Sequence, residues 1–237
     1  MSMEKLNDEQ LKQYCILTER TCLYSNLVSG IDEIIKRNKT LDTDLRNLLS
    51  VGYKNLISPQ RTAWQLLSRD REDEENDENQ KVVADLIKKD VAAKLKENCD
   101  RLLKSPIFDK KGDIEEEIFF LKLKGDYIRY KIEVSEDPEK TKLVKEADEA
   151  YCKAIELATT NLEVYHPLRL GLVLNYSVFL YEIKQDKSAA ITAAKNAFET
   201  ACADLPDTSD KSYKDISLIL QLLRDNISLW SPGEQDD

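Results

Sequence analysis

Glycine and proline are scarce, six of each in 237 residues. Folds that reverse direction every few residues need both, so sandwiches and barrels are disfavoured and long helices favoured. Histidine occurs once, at His166. A single ring cannot build a histidine metal site, and no nucleophile or carboxylate stands at a recognisable spacing from it. The five cysteines, Cys15, Cys22, Cys99, Cys152 and Cys202, contain no CxxC pair. An odd, scattered set reads as buried free thiols in a reducing compartment, not as a disulfide framework. A glycine-rich phosphate loop is missing, and the acidic run Asp70–Glu78 lacks the glycine and ligand spacing of a calcium loop. No enzyme, cofactor or metal is expected.

Long apolar runs are missing as well. The most apolar stretch, Leu168–Ile183, is interrupted by Arg169, Asn175, Ser177 and Glu182, and is too short and polar to cross a bilayer. The N-terminus is polar and carries no secretory pattern. Acidic residues dominate instead: 45 Asp and Glu against 35 Lys and Arg, a net charge of −10. That balance counts against nucleic acid and against anionic membrane as partners. The expected location is cytoplasmic, with the nucleus as a second compartment.

Helical periodicity runs through the chain and predicts an all-α protein of about nine antiparallel helices. Breaks are expected near Thr18–Cys22, Asn38–Thr43, Asp70–Asn79, Pro106–Asp113, Glu136–Pro138, Asn161–Pro167, Lys184–Lys187 and Leu205–Asp210. Pro138 and Pro167 suit helix starts, and Asp210 or Ser212 suits the cap of the last helix. No linker divides the chain, so one domain is expected over residues 1–231, followed by a short acidic tail, 232–237. The last helix carries one stripe of Ile216, Leu220, Leu223, Ile227 and Trp230 that seats it on a neighbour. Beside it runs a second stripe, Ile219, Leu222, Asn226 and Leu229, with an amide in its middle. Leu174, Asn175, Val178 and Glu182 repeat that design. Such a stripe is either core or a surface offered to a ligand.

Against the acidic background, Lys54 and Arg61 stand seven residues apart, about two turns on one helix face. Arg129 and Tyr130 lie on another predicted helix. Two guanidiniums, an ammonium and a phenol are the donors a phosphate monoester wants. Asp126, three residues before Arg129, is placed to hold its guanidinium.

The segments RNLLSVGYKN (Arg46–Asn55), LKGDYIRY (Leu123–Tyr130), HPLRLGLVLNYSVFLYEI (His166–Ile183) and YKDISLILQLLRDNISLW (Tyr213–Trp230) resemble, in order, the signature segments of the 14-3-3 family. The resemblance implies a concave groove that clamps phosphoserine or phosphothreonine peptides of client proteins. In it Lys54, Arg61, Arg129 and Tyr130 would hold the phosphate. Asn175 and Asn226 would bond the peptide main chain. Leu174, Val178, Ile219, Leu222 and Leu229 would form the apolar wall, with Glu182 and Trp230 also lining the groove. It further implies a homodimer through Leu17, Thr21, Leu23, Ala63, Leu66 and Ile87.

Several positions depart from the family pattern. Gly52 and Pro59 lie inside the helix bearing Lys54 and Arg61, and Pro59 removes an amide donor and crowds the carbonyl of Asn55. A kink and a widened, weaker phosphate site are expected, unless the family helix already accommodates the proline. The alternative function is then a scaffold with a distorted pocket that binds phosphopeptides weakly or takes unphosphorylated acidic segments. The usual inter-subunit salt bridges would align Leu23 with Lys94 and Asn26 with Asp90, and neither pair can form one. Ala63 replaces a serine that in several relatives is phosphorylated to split the dimer. The chain ends seven residues after Trp230, which predicts weak inhibition by a tail.

Overall fold

The structure is a computed structural model and describes residues 3–37, 40–72, 77–110, 112–205 and 211–231. Among these residues lie nine α-helices and no strand: α1 (Asp8–Arg20), α2 (Tyr24–Lys36), α3 (Thr43–Glu72), α4 (Glu78–Leu103), α5 (Ile114–Glu133), α6 (Glu139–Asn161), α7 (Pro167–Glu182), α8 (Lys187–Asp204) and α9 (Lys211–Trp230). The expected breaks fall on the connections between these helices, to within three residues. Residues 73–76 of the acidic junction, 206–210 and the tail 232–237 lie outside the described residues.

Local chemistry explains the starts. Asn7 caps α1 and Asp77 caps α4 through reciprocal capping boxes with Gln10 and Gln80. Asp113 and Asp186 accept from the third backbone amide of α5 and α8. Pro138 is the N-cap of α6, and Pro167 opens α7, where its missing N–H costs nothing. The lone histidine has a structural use: His166 Nδ1 accepts from the Leu168 amide at 3.2 Å and caps α7. Helix α9 begins at Lys211, so Ser212 lies within it, not before it, and Asp210 lies outside the described residues.

The chain divides into two compact units, Met1–Lys110 and Lys111–Asp237. In the first, α1 to α4 pack in chain order around Leu11, Leu27, Ile31, Leu49, Tyr53, Ile57, Leu95 and Leu102, all fully or almost fully buried. In the second, α5 to α9 pack likewise, and α7 also meets α5 and α9. Its core holds Ile118, Leu123, Tyr151, Phe179 and the small faces Ala147, Ala154, Ala190 and Ala194. Cysteine usage differs from the expectation of buried thiols: Cys15 and Cys99 are buried, but Cys22, Cys152 and Cys202 are exposed, and none of the five is in a disulfide. Among the described residues no helix is long and apolar enough to cross a membrane.

Candidate functional site

In the first unit, Leu45, Leu49, Tyr53 and Ile57 recur every four residues along α3 and are buried. Burying that stripe turns Lys54 outward into solvent and leaves Arg61 half-buried two turns on. Among the described residues Lys54 forms no ion pair. Tyr53 anchors the helix from below, its phenol donating to Asp32 Oδ1 at 3.1 Å while Arg101 Nε donates to Asp32 Oδ2 at 2.6 Å. Burial and the nearby Asp32 push the Tyr53 phenol above its ordinary range.

Pro59 is exposed, and α3 continues through it as one helix from Thr43 to Glu72. Two side chains bond the carbonyls of this stretch: Asn55 Nδ2 donates to Val51 O at 2.9 Å and Ser58 Oγ to Lys54 O at 2.8 Å. Gly52 is a point of close approach. A Cβ there would lie 3.0 Å from Leu27 Cδ2 and 3.3 Å from Val28 Cγ2. The glycine lets α3 settle on α2.

In the second unit, Arg129 is nearly fully buried on α5. Its Nη1 lies 3.7 Å from Glu133 Oε1, its guanidinium carbon sits 4.6 Å from the Tyr130 ring centroid, and its buried Nε has no hydrogen-bond partner among the described residues. Burial works against the Arg129 charge, but Tyr151, Tyr130 and Asp126 outweigh it and hold the guanidinium protonated.

The expectation that Asp126 holds Arg129 is corrected here. Oδ1 of Asp126 accepts from Tyr151 Oη at 2.6 Å and Asn175 Nδ2 at 2.8 Å. Its Oδ2 accepts from Lys122 Nζ at 2.8 Å and from the same Asn175 nitrogen at 2.9 Å. An ionised carboxylate offers about four acceptor positions, and these contacts fill them. Arg129 therefore pairs with Glu133, one turn on, and feels Asp126 only as a nearby charge. Burial alone would raise the Asp126 carboxyl; Lys122 and Arg129 reverse this and hold it below the usual range. The same burial, with Asp126 beside it, pushes the Tyr151 phenol well above its ordinary value.

The expected peptide-facing residues lie on α7 and α9 of this unit. Leu174 and Ile219 are half-buried against the cluster of Leu170, Ala194, Ile216, Leu220 and Leu223. Val178 and Asn226 are half-buried, Glu182 and Leu222 exposed, and Leu229 is 73% exposed. Trp230 is held by stacking on Tyr181, with centroids 4.6 Å apart and planes at 10°. The two stripes read from α9 thus separate: the first seats the helix and the second remains largely open. Sequence reasoning missed Lys122, Tyr151 and Gly125. Lys122 and Asp126 stand four apart on one helix, a pairing that spacing could have signalled. Tyr151 comes from α6, and nothing local announces it.

The expected pairing residues lie in the first unit. Leu17, Leu23, Leu66 and Ile87 are exposed, together with Val82, Val83 and Leu86, which spacing had not singled out. Thr21 is exposed with its hydroxyl turned back onto Leu17 O at 2.8 Å, and Ala63 is half-buried. Asn26 Nδ2 donates to Tyr14 Oη at 3.0 Å, and Lys94 and Asp90 are exposed on α4.

Helix order and these side chains define an all-α protein whose second half carries a buried, incompletely partnered arginine beside an open amphipathic stripe. The family model described as 14-3-3 protein matches residues 15–231. "14-3-3 protein zeta" of Bombyx mori is 37% identical over 240 residues, covering 100% of this chain and 96% of that protein. "14-3-3 protein beta/alpha" of Homo sapiens and of Bos taurus are each 35% identical, with the same coverage. The chain belongs to the 14-3-3 family.

Proposed function

We propose that the chain is a phosphoserine- and phosphothreonine-peptide-binding adaptor and not an enzyme, acting in the cytoplasm and nucleus. One observation carries this reading: Arg129 is buried, charged and short of a partner at Nε. A buried guanidinium whose ion pair with Glu133 is a long 3.7 Å contact gains from an incoming anion that reaches its terminal nitrogens. A phosphate carries about −1.5 to −2 charges and strong acceptor oxygens, and Tyr130 stands beside Arg129 with a further hydroxyl. Lys54 and Arg61 complete the proposed phosphate set. Leu174, Asn175, Val178, Glu182, Ile219, Leu222, Asn226, Leu229 and Trp230 receive the flanking peptide, with the two amides on its main chain.

The test is an anisotropy titration with a fluorescent Arg-x-x-pSer-x-Pro peptide, its unphosphorylated twin and a glutamate-substituted version. Binding that requires the phosphate and is lost in Arg129→Ala supports the adaptor. The second reading is the weakened pocket, favoured by Pro59 lying between Lys54 and Arg61 on α3. It is supported if the glutamate peptide binds as well as the phosphorylated one.

The clients are proposed to meet a homodimer paired through Leu17, Thr21, Leu23, Ala63, Leu66 and Ile87. Its contacts would be apolar, because Leu23 with Lys94 and Asn26 with Asp90 provide no ion pair.

A further inference from the structure

The cluster around Asp126 assigns a role that the phosphate set does not contain. Asp126 is buried and ionised, so it can only accept hydrogen bonds. Asn175 must therefore turn its Nδ2 toward it, and that nitrogen lies 2.8 and 2.9 Å from the two carboxylate oxygens. An amide held this way presents its Oδ1 on the opposite side. Among the described residues that oxygen accepts no hydrogen bond, and Asn175 is only half-buried. The carboxylate is itself held in place. Tyr151 reaches it from α6 with a 2.6 Å bond, and the Tyr151 side chain is fully buried between α5 and α7, with its ring 5.4 Å from Phe179. Gly125 makes this approach possible. A Cβ at that position would stand 2.8 to 2.9 Å from three atoms of the Tyr151 ring, closer than carbon atoms pack.

We infer that Tyr151, acting through Asp126, is a positioning residue that fixes Asn175 as a hydrogen-bond acceptor for one main-chain N–H of the bound peptide, and that Gly125 is required to seat it. The inference rests on the proposed function and adds a specificity to it. The site selects against a peptide whose amide at that position is blocked, by proline or by N-methylation, whatever the side chain there. Lys122 neutralises Asp126 but has rotatable donors on a flexible stem, so it cannot set the plane of the carboxylate as the rigid phenol does.

The experiment is a backbone N-methylation scan of the phosphopeptide against the wild-type protein and Tyr151→Phe. In the wild type one methylated amide is expected to weaken binding about tenfold, the loss of one buried hydrogen bond. In Tyr151→Phe that penalty falls to about twofold, while the preference for the phosphorylated over the unphosphorylated peptide persists. Gly125→Ala, which displaces the ring, is expected to behave like Tyr151→Phe. The wild-type protein gives an independent readout. The Asn175 side-chain amide protons should stay in place in the NMR spectrum when peptide is added, and shift toward free-amide positions in Tyr151→Phe. A penalty equal in both proteins, or an Asn175 amide signal unmoved by the substitution, overturns the inference alone. No preference for phosphate in the wild type overturns the proposed function, and the inference with it.

Discussion

Asp126 illustrates how much one residue sets. Its four acceptor positions are filled by Lys122, Tyr151 and Asn175, so an asparagine there would leave one acceptor oxygen for three donors and the Lys122 ammonium without its counter-charge. Asp126→Asn is expected to lower the unfolding free energy by about 3 kcal/mol at neutral pH, measured by urea denaturation. The pH dependence follows from the direction of its shift. The folded carboxyl lies below its unfolded value, which is about 3.9. Its stabilising contribution is therefore complete above that value and disappears as pH falls through the folded one. Wild type should lose stability in that acid window with a steeper slope than Asp126→Asn; equal slopes would contradict the assignment. Gly52 gives a second prediction of opposite intuition. A helix-interior glycine costs about 1 kcal/mol against alanine, yet the new Cβ would press on the buried Leu27 at 3.0 Å. Gly52→Ala should bring no gain in thermal stability, and a gain of the full propensity difference of about 1 kcal/mol would show that α2 yields freely.

At the scale of the element, α3 is the informative case. An interior proline costs about 3 kcal/mol in an isolated helix, but here the buried row of Leu49, Tyr53 and Ile57 holds the helix on its neighbours. Tertiary packing outweighs the local penalty, and the chain stays helical through Pro59. Pro59→Ala should raise stability by about 2 kcal/mol by restoring the amide donor. If the proline also widens the phosphate site, the same variant will tighten phosphopeptide binding; unchanged affinity would dismiss the weakened pocket. Helix boundaries were legible because caps and prolines act within a few residues of their own position. Asp113, Asp186 and Pro167 illustrate this. The support of the candidate site was not legible. Tyr151 meets Asp126 across 25 residues, and only the packing of α6 on α5 creates that pair. Arg129 was found, but its partner was misassigned to Asp126, because helical spacing allows Asp126 and Glu133 alike.

At the scale of the whole molecule, the family explains why the full chain aligns with relatives at 35–37% identity. A dimer held by Leu17, Leu23, Leu66 and Ile87 without the cross-subunit ion pairs should respond weakly to ionic strength, since salt screens charges and not apolar contacts. Sedimentation velocity at low and high salt should give similar dissociation constants. A dimer that falls apart as salt rises would mean that other charges bridge the subunits. A monomer at micromolar concentration under all conditions would remove the dimer from the account.

The proposed function stands or falls on whether Arg129, with the other proposed phosphate ligands, receives a phosphate dianion. The most direct measurement is the ³¹P chemical shift of a phosphoserine peptide, saturated with protein, followed as pH is lowered. A free phosphoserine takes up its second proton near a pH of about 6. Held by Arg129, Tyr130, Lys54 and Arg61, it should stay dianionic well below that value, and Arg129→Ala should return the titration toward that of the free peptide. A bound peptide whose phosphorus titrates as it does in free solution would contradict the account.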